Sequence, residues 1–268
     1  MHAMNPDAAG PTVPLHFRKY GDPAMPKLII LHGLFGSGVN WRSIAARLAA
    51  SYEVFCPDLR NHGSSPWHHR MGYAAMAGDV ARFIGDRQLH RPALLGHSMG
   101  GKIAMLLAQR QCIELGRLIV VDIAPIAYRP TRHLQLMDAI AALDLAAVTD
   151  RKAIDGALAE RIPDPATRQF LAQNLRKDED RGYRWQLNVA AIRQHMAALA
   201  GYAEARVTDL DTLFIAGADS DYINPAAHAE IYARFPNARI ETVENAGHWL
   251  HAQHPARLVA LCDGFLAG

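Results

Sequence analysis

The chain has few cysteines, little net charge and no long apolar run, and each shortage narrows what it can be. Its three cysteines, Cys56, Cys112 and Cys262, are odd in number, widely spaced and set among apolar residues. That pattern argues against a disulfide framework or a thiolate metal site and fits buried free thiols in a reducing compartment. The formal charge is only +2 over 268 residues, with no basic stripe, which speaks against nucleic acid and an anionic membrane as partners. No stretch reaches the roughly eighteen apolar residues that would cross a bilayer. The N-terminus lacks the basic and apolar regions of a secretory leader, so a cytoplasmic location is the expectation. Repeats of roughly 20 to 50 residues and low-complexity tracts are also missing.

What is present is the balance of a soluble globular protein, 50% hydrophobic and 20% charged. The length suits one large domain, or one domain carrying an insertion. The opening MHAMNPDAAGPT reads as a loose arm. Beyond it, short apolar runs alternate with longer amphipathic ones. KLIILHG, EVFCPDL, PALLGHS, RLIVVDIAP, TLFIAG and ARIETVEN are too short for helices, rich in branched residues and bounded by turn signals. They read as strands covered on both faces, as in a parallel sheet. Between them WRSIAARLAA, YAAMAGDVARFIGDR, MGGKIAMLLAQR, AAHAEIYARF and PARLVALCDGFL carry apolar residues at helical spacing. Strand then helix, repeated, predicts a doubly wound α/β architecture with a mostly parallel sheet.

One region breaks the alternation. From about Ile126 to Val207 the patterns are helical and no strand stands out, with Asp164-Pro165 marking a helix start. This predicts a core over residues 1–125, an inserted helical cap over 126–207 and the rest of the core over 208–268.

Three motifs carry chemistry. GHSMGG, from Gly96, follows an apolar run and opens a helical pattern, the setting in which G-x-S-x-G presents a nucleophile. Its serine, Ser98, sits on a tight turn at the carboxyl end of a strand, where open α/β sheets place ligands. His248, in ENAGHWLHAQHP after the last strand, is placed to act as its general base. HGLFGS, from His32, supplies the loop whose backbone N–H joins that of Met99 in an oxyanion hole. The loop donor is Leu34, with Phe35 as the alternative, and His32 reads as a brace for the loop. His251 and His254 read as surface residues at a helix start. A zinc site of His248, His251 and His254 lacks a completing carboxylate or cysteine at typical spacing.

In order and spacing, HGLFGS, DLRNHGSS from Asp58, GHSMGGK and AGHWLHAQHP resemble the α/β-hydrolase family over nearly the whole chain. GHSMGGK followed by VVDIAP is similar to bacterial esterases and thioesterases related to a mitochondrial abhydrolase subfamily. The resemblance implies an α/β-hydrolase fold, a Ser-His-Asp triad and no cofactor or metal. Most of the family carries the acid after the strand before the last. Counting from Gly217 in LFIAGADSDYI puts Ser220 there, flanked by Asp219 and Asp221. In the resembled subgroup the aspartate of DIAP is the acid. Asp122 is therefore the expected acid, with Asp219 and Asp221 as alternatives. Asp58, Gly63 and the serines of DLRNHGSS read as structural.

The implied activity is hydrolysis of small carboxylic esters or thioesters through an acyl-enzyme on Ser98. A carbon–carbon bond hydrolase or a cofactor-free haloperoxidase would share the triad, and a non-catalytic receptor on the same scaffold is the reading from another class. The expected partner is a small-molecule ester or thioester; the oligomeric state is not legible. Met137, Ile140, Leu143, Leu187 and Ile192 are candidates to line an acyl pocket, although such helix residues usually belong to a core. Arg129, Arg132 and Lys102 could greet a charged leaving group but read more simply as solvated charges. Trp185 reads either as a cover of the site or as a buried aromatic.

Overall fold

All six apolar runs become strands of one sheet. The structure, a computed structural model, describes residues 10–178 and 182–268; most of the expected N-terminal arm lies outside them. Strands β1 (Phe17–Tyr20), β2 (Lys27–Leu31), β3 (Glu53–Pro57), β4 (Ala93–His97), β5 (Leu118–Val121), β8 (Thr212–Gly217) and β9 (Ala238–Val243) stand in the order β1-β3-β2-β4-β5-β8-β9. Every pairing in this sheet is parallel except β1 with β3, where Phe17 faces Pro57 and Tyr20 faces Val54.

The helices are α1 (Arg42–Leu48), α2 (Tyr73–Asp86), α3 (Met99–Arg110), α4 (Thr131–Ala142), α5 (Arg151–Ala159), α6 (Pro165–Ala172), α7 (Val189–Gln194), α8 (Met196–Ala200), α9 (Pro225–Arg234), α10 (Leu250–Gln253) and α11 (Pro255–Ala267). Alternation along the strands explains the two layers. Ile29, Leu31 and Leu94 join one apolar cluster with side chains of α2 and α3. Leu28, Ile30 and Leu95 face the other way and pack with Ile44 and Leu48 of α1 and Leu258 and Cys262 of α11. A side-chain period of two sends neighbours to opposite faces, so strands buried on both sides need unbroken apolar runs. Cys56 and Cys262 are buried free thiols, and Cys112 is a partly buried one.

Between β5 and β8 the chain passes through α4 to α8. Asp164 caps α6 as its sequence indicates, accepting from the N–H of Thr167 at 2.9 Å, with Pro165 in the first turn. The expectation that this segment holds no strand is corrected. β6 (Leu175–Asp178) and β7 (Gly182–Trp185) pair antiparallel, with Leu175 opposite Trp185 and Lys177 opposite Tyr183. Its charges hid it: Arg176, Lys177, Asp178 and Arg184 dilute the apolar alternation by which strands are recognised. Among the described residues no helix is long and apolar enough to cross a membrane.

Candidate active site

Ser98 is the single residue between β4 and α3, and its backbone shows the cost of the turn. It holds φ 51° and ψ −116°, a region that residues with a Cβ rarely enter. Two glycines make the turn possible. A Cβ on Gly96 would come within 2.3 Å of the Gly100 carbonyl oxygen, and one on Gly100 within 2.3 Å of the Leu31 carbonyl oxygen. Strand and helix therefore approach more closely than alanine would permit, and Ser98 is lifted to the carboxyl end of the sheet at the amino end of α3.

Asp122 follows β5 directly and is fully buried. Its Oδ2 lies 2.7 Å from His248 Nδ1, so that nitrogen carries the proton and Nε2 is left as an acceptor. The Gly217 N–H donates to Asp122 Oδ1 at 3.0 Å, and the Ser220 hydroxyl donates to Oδ2. Asp219 and Asp221 are exposed, and neither makes a hydrogen bond to His248 among the described residues. Ser220 stands where the family resemblance puts the acid, yet here it donates to Asp122 from another strand. The His248 ring stacks on Tyr222 at 4.0 Å between centroids. Its carbonyl oxygen accepts from His97 Nε2 at 2.8 Å. His97 is buried, and desolvation pushes its pKa well down, which keeps it a neutral donor.

The loop after β2 is braced by two more neutral histidines. His32 donates from Nδ1 to the Gly33 carbonyl at 2.8 Å and accepts at Nε2 from the Leu59 N–H at 2.9 Å. His62 donates from Nδ1 to the Arg60 carbonyl at 2.9 Å and accepts at Nε2 from the Phe35 N–H at 3.3 Å. Burial pushes the pKa of His32 down and that of His62 down to about 3. Phe35 spends its N–H on His62, and the neighbouring Leu34 lines the cavity at Ser98. Phe35 also accepts at its carbonyl from Asn174 Nδ2 at 2.7 Å, a tie from just beyond α6. DLRNHGSS is structural, as its sequence indicates: Asp58 accepts from the N–H groups of Gly38 at 2.7 Å and Ser64 at 2.9 Å.

Two cavities meet at Ser98. The outer one, about 230 Å³, is lined by Ser98, His248, Leu34, Arg132, Phe170 and Trp249, among others. The inner one, about 40 Å³, is lined by Ser98, Met99, Lys102, Tyr128, Arg129 and Met196, among others. The acyl-pocket candidates in the insertion are corrected. Met137, Ile140, Leu187 and Ile192 are buried core, Leu143 packs against that core, and Leu136, Phe170, Met196 and Leu199 line the cavities instead. Helical spacing shows which residues share a face but not which face meets a cavity. Trp185 packs on the core and lines neither cavity.

Lys102 is no solvated charge: it is 1% exposed. His251 is buried rather than superficial, stacking on Trp41 at 4.7 Å. His254 is partly buried, with Nε2 2.8 Å from the Asn245 carbonyl. With Asp122 on His248 Nδ1, the three-histidine pattern is not assembled as a metal site; among the described residues no such group is.

Residues 28–261 match the family described as "Alpha/beta hydrolase family". The chain is 37% identical to the sn-1-specific diacylglycerol lipase ABHD11 of Mus musculus, over 92% of this chain and 83% of that protein. It is 31% identical to the esterase YbfF of Escherichia coli strain K12, over 85% of this chain and 88% of that one. A solved structure titled "Marine microorganism esterase" superposes with a TM-score of 0.92 at 37% identity, covering 95% of this chain and 100% of that one.

Proposed function

The chain belongs to the α/β-hydrolase family and is an esterase-type hydrolase, and from that premise we propose that it cleaves carboxylic esters or thioesters of small acyl groups through an acyl-enzyme on Ser98. The observation that carries this reading is the 2.7 Å contact from His248 Nδ1 to Asp122, at a cavity that His248 shares with Ser98.

The steps follow from the groups present. His248 Nε2 takes the Ser98 proton as Oγ attacks the carbonyl carbon, and Asp122 stabilises the imidazolium. The N–H groups of Leu34 and Met99 receive the oxyanion, each worth roughly 3 to 4 kcal/mol in comparable sites. His248 returns its proton to the leaving oxygen or sulfur, and water repeats the cycle on the acyl-enzyme. Residues 126–207 act as a cap, the role suggested by Arg132, His133, Leu136, Phe170 and Met196 on the cavity walls.

The mouse relative's name refers to diacylglycerol. Here the two cavities, about 230 and 40 Å³, favour short acyl groups over long chains. The test is hydrolysis of p-nitrophenyl esters from acetate to decanoate by the wild type and Ser98→Ala. Turnover with a short-chain optimum, lost in the variant, is the expected result. Undiminished activity in Ser98→Ala would remove Ser98 as nucleophile.

A further inference from the structure

Lys102 is the buried charge that the hydrolytic chemistry leaves unused. It lies one helical turn after Ser98 on α3, and its backbone N–H donates to the Ser98 carbonyl at 3.1 Å. Its Nζ donates to the carbonyl oxygens of Ala200 at 3.1 Å and Gly201 at 2.9 Å. The ammonium also lies 4.8 Å from the ring centroid of Tyr128, with Tyr73 at 5.6 Å and Tyr202 at 5.9 Å. Two carbonyls engage two of its three N–H groups. No carboxylate is paired with it in an ion pair among the described residues, and its wall of the cavity carries none. Desolvation pushes its pKa down to about 7. The inner cavity it lines also has Arg129 on its wall and no aspartate or glutamate. A wall with a buried, unpaired Lys102 and no acid favours an anion, which would hold the lysine in its charged form and supply the missing counter-charge.

Which part of a substrate enters follows from proton delivery. His248 must reach the leaving-group atom, so the leaving group occupies the outer cavity that His248 lines. The acyl chain is left with the inner cavity, which touches Ser98 and Met99 but not His248. We propose that this inner cavity is an acyl subsite in which Lys102 recognises a short acyl group ending in a carboxylate, such as malonyl or succinyl. This rests on the serine-hydrolase reading above and adds a substrate class to it. The volume of about 40 Å³ limits the group to a few heavy atoms.

The experiment pairs charged and neutral esters of the same shape. Monomethyl malonate is compared with methyl isovalerate, and monomethyl succinate with methyl isocaproate, with methyl acetate as the common reference and product acid measured by chromatography. The wild type is expected to favour at least one half-ester over its neutral isostere by about tenfold or more in kcat/KM. In Lys102→Met, checked for folding by its thermal transition, that ratio is expected to fall to one or below. A wild-type ratio of one or less overturns the proposal even if the variant does not fold. So does a variant that loses both members of a pair equally, because Lys102 then only ties α3 to the insertion. Turnover of methyl acetate with a flat ratio removes the subsite alone; turnover of no ester removes the serine-hydrolase reading together with it.

Discussion

The sheet and the segment inserted between β5 and β8 share the same two cavities but hold their residues by different means. Ser98 and Asp122 stand at strand ends, one on a strained turn and the other held by Gly217 and Ser220. His248 is fixed by Asp122, Tyr222 and His97. The insertion brings Leu136, Phe170, Met196 and Leu199, which meet the cavities through shape and apolar surface. Groups that must be placed within tenths of an ångström are anchored to the rigid parallel sheet. Groups that only need to fit a ligand sit on short helices that can vary without disturbing it.

This contrast can be broken at several points. The largest effect is expected for Asp122→Asn, a loss of about 10,000-fold in kcat on a p-nitrophenyl ester, with Asp219→Asn and Asp221→Asn within about twofold of wild type. A comparable loss in Asp219→Asn would move the acid off β5. Next comes Ser220→Ala, which removes a donor to Asp122 but leaves the carboxylate itself in place. Its kcat should fall about tenfold with KM little changed, and an equal rise in KM would mean that the loop after β8 shapes binding instead. On the insertion, Phe170→Ala should raise KM several-fold for bulky leaving groups and leave kcat near wild type, as expected for lost apolar contact. A large fall in kcat there would erase the division between the two regions.

The smallest effect concerns stability. His62 has an ordinary pKa of 6.5 and a folded value of about 3. Between those values the unfolded chain binds a proton that the native chain does not. Stability therefore falls with decreasing pH across this window, by at most about 1.4 kcal/mol per pH unit, and is unaffected above it. Urea unfolding of wild type and His62→Asn at about pH 6 and pH 5 should show a shallower pH slope in the variant. Equal slopes would mean that His62 is not held neutral.

The same division explains what could be read from the chain alone. Strands buried on both faces must be unbroken apolar runs, which makes β2 to β5 and β8 legible; β9, expected to be covered on both faces, is instead an edge strand exposed at Arg239, Glu241 and Thr242, and shows only through its branched residues and flanking turns. β1 escaped because FRKY is a short edge strand carrying Arg18 and Lys19. Ser98 is legible because its turn demands Gly96 and Gly100 at fixed spacing. The hydrogen bond from Ser220 to Asp122 joins residues 98 positions apart and leaves no local pattern. Lys102 and His251 read as surface residues in the sequence but are buried, for another reason. Charge and polarity normally mark a surface, and only the packing of Tyr73, Tyr128 and Tyr202 around Lys102, or of Trp41 against His251, reveals the exception.

Phe35 has one anchor on each side of this divide, His62 from the sheet and Asn174 from the insertion. The neighbouring Leu34 is thus mechanically coupled to any excursion of the insertion. If the segment after α6 swings outward to admit a substrate, it must either release the Phe35 carbonyl or pull the loop with it. In the second case the loop carrying Leu34 is displaced while the site is open and returns only on closure, so closure would act as a timing device that sets the loop once the ligand is inside.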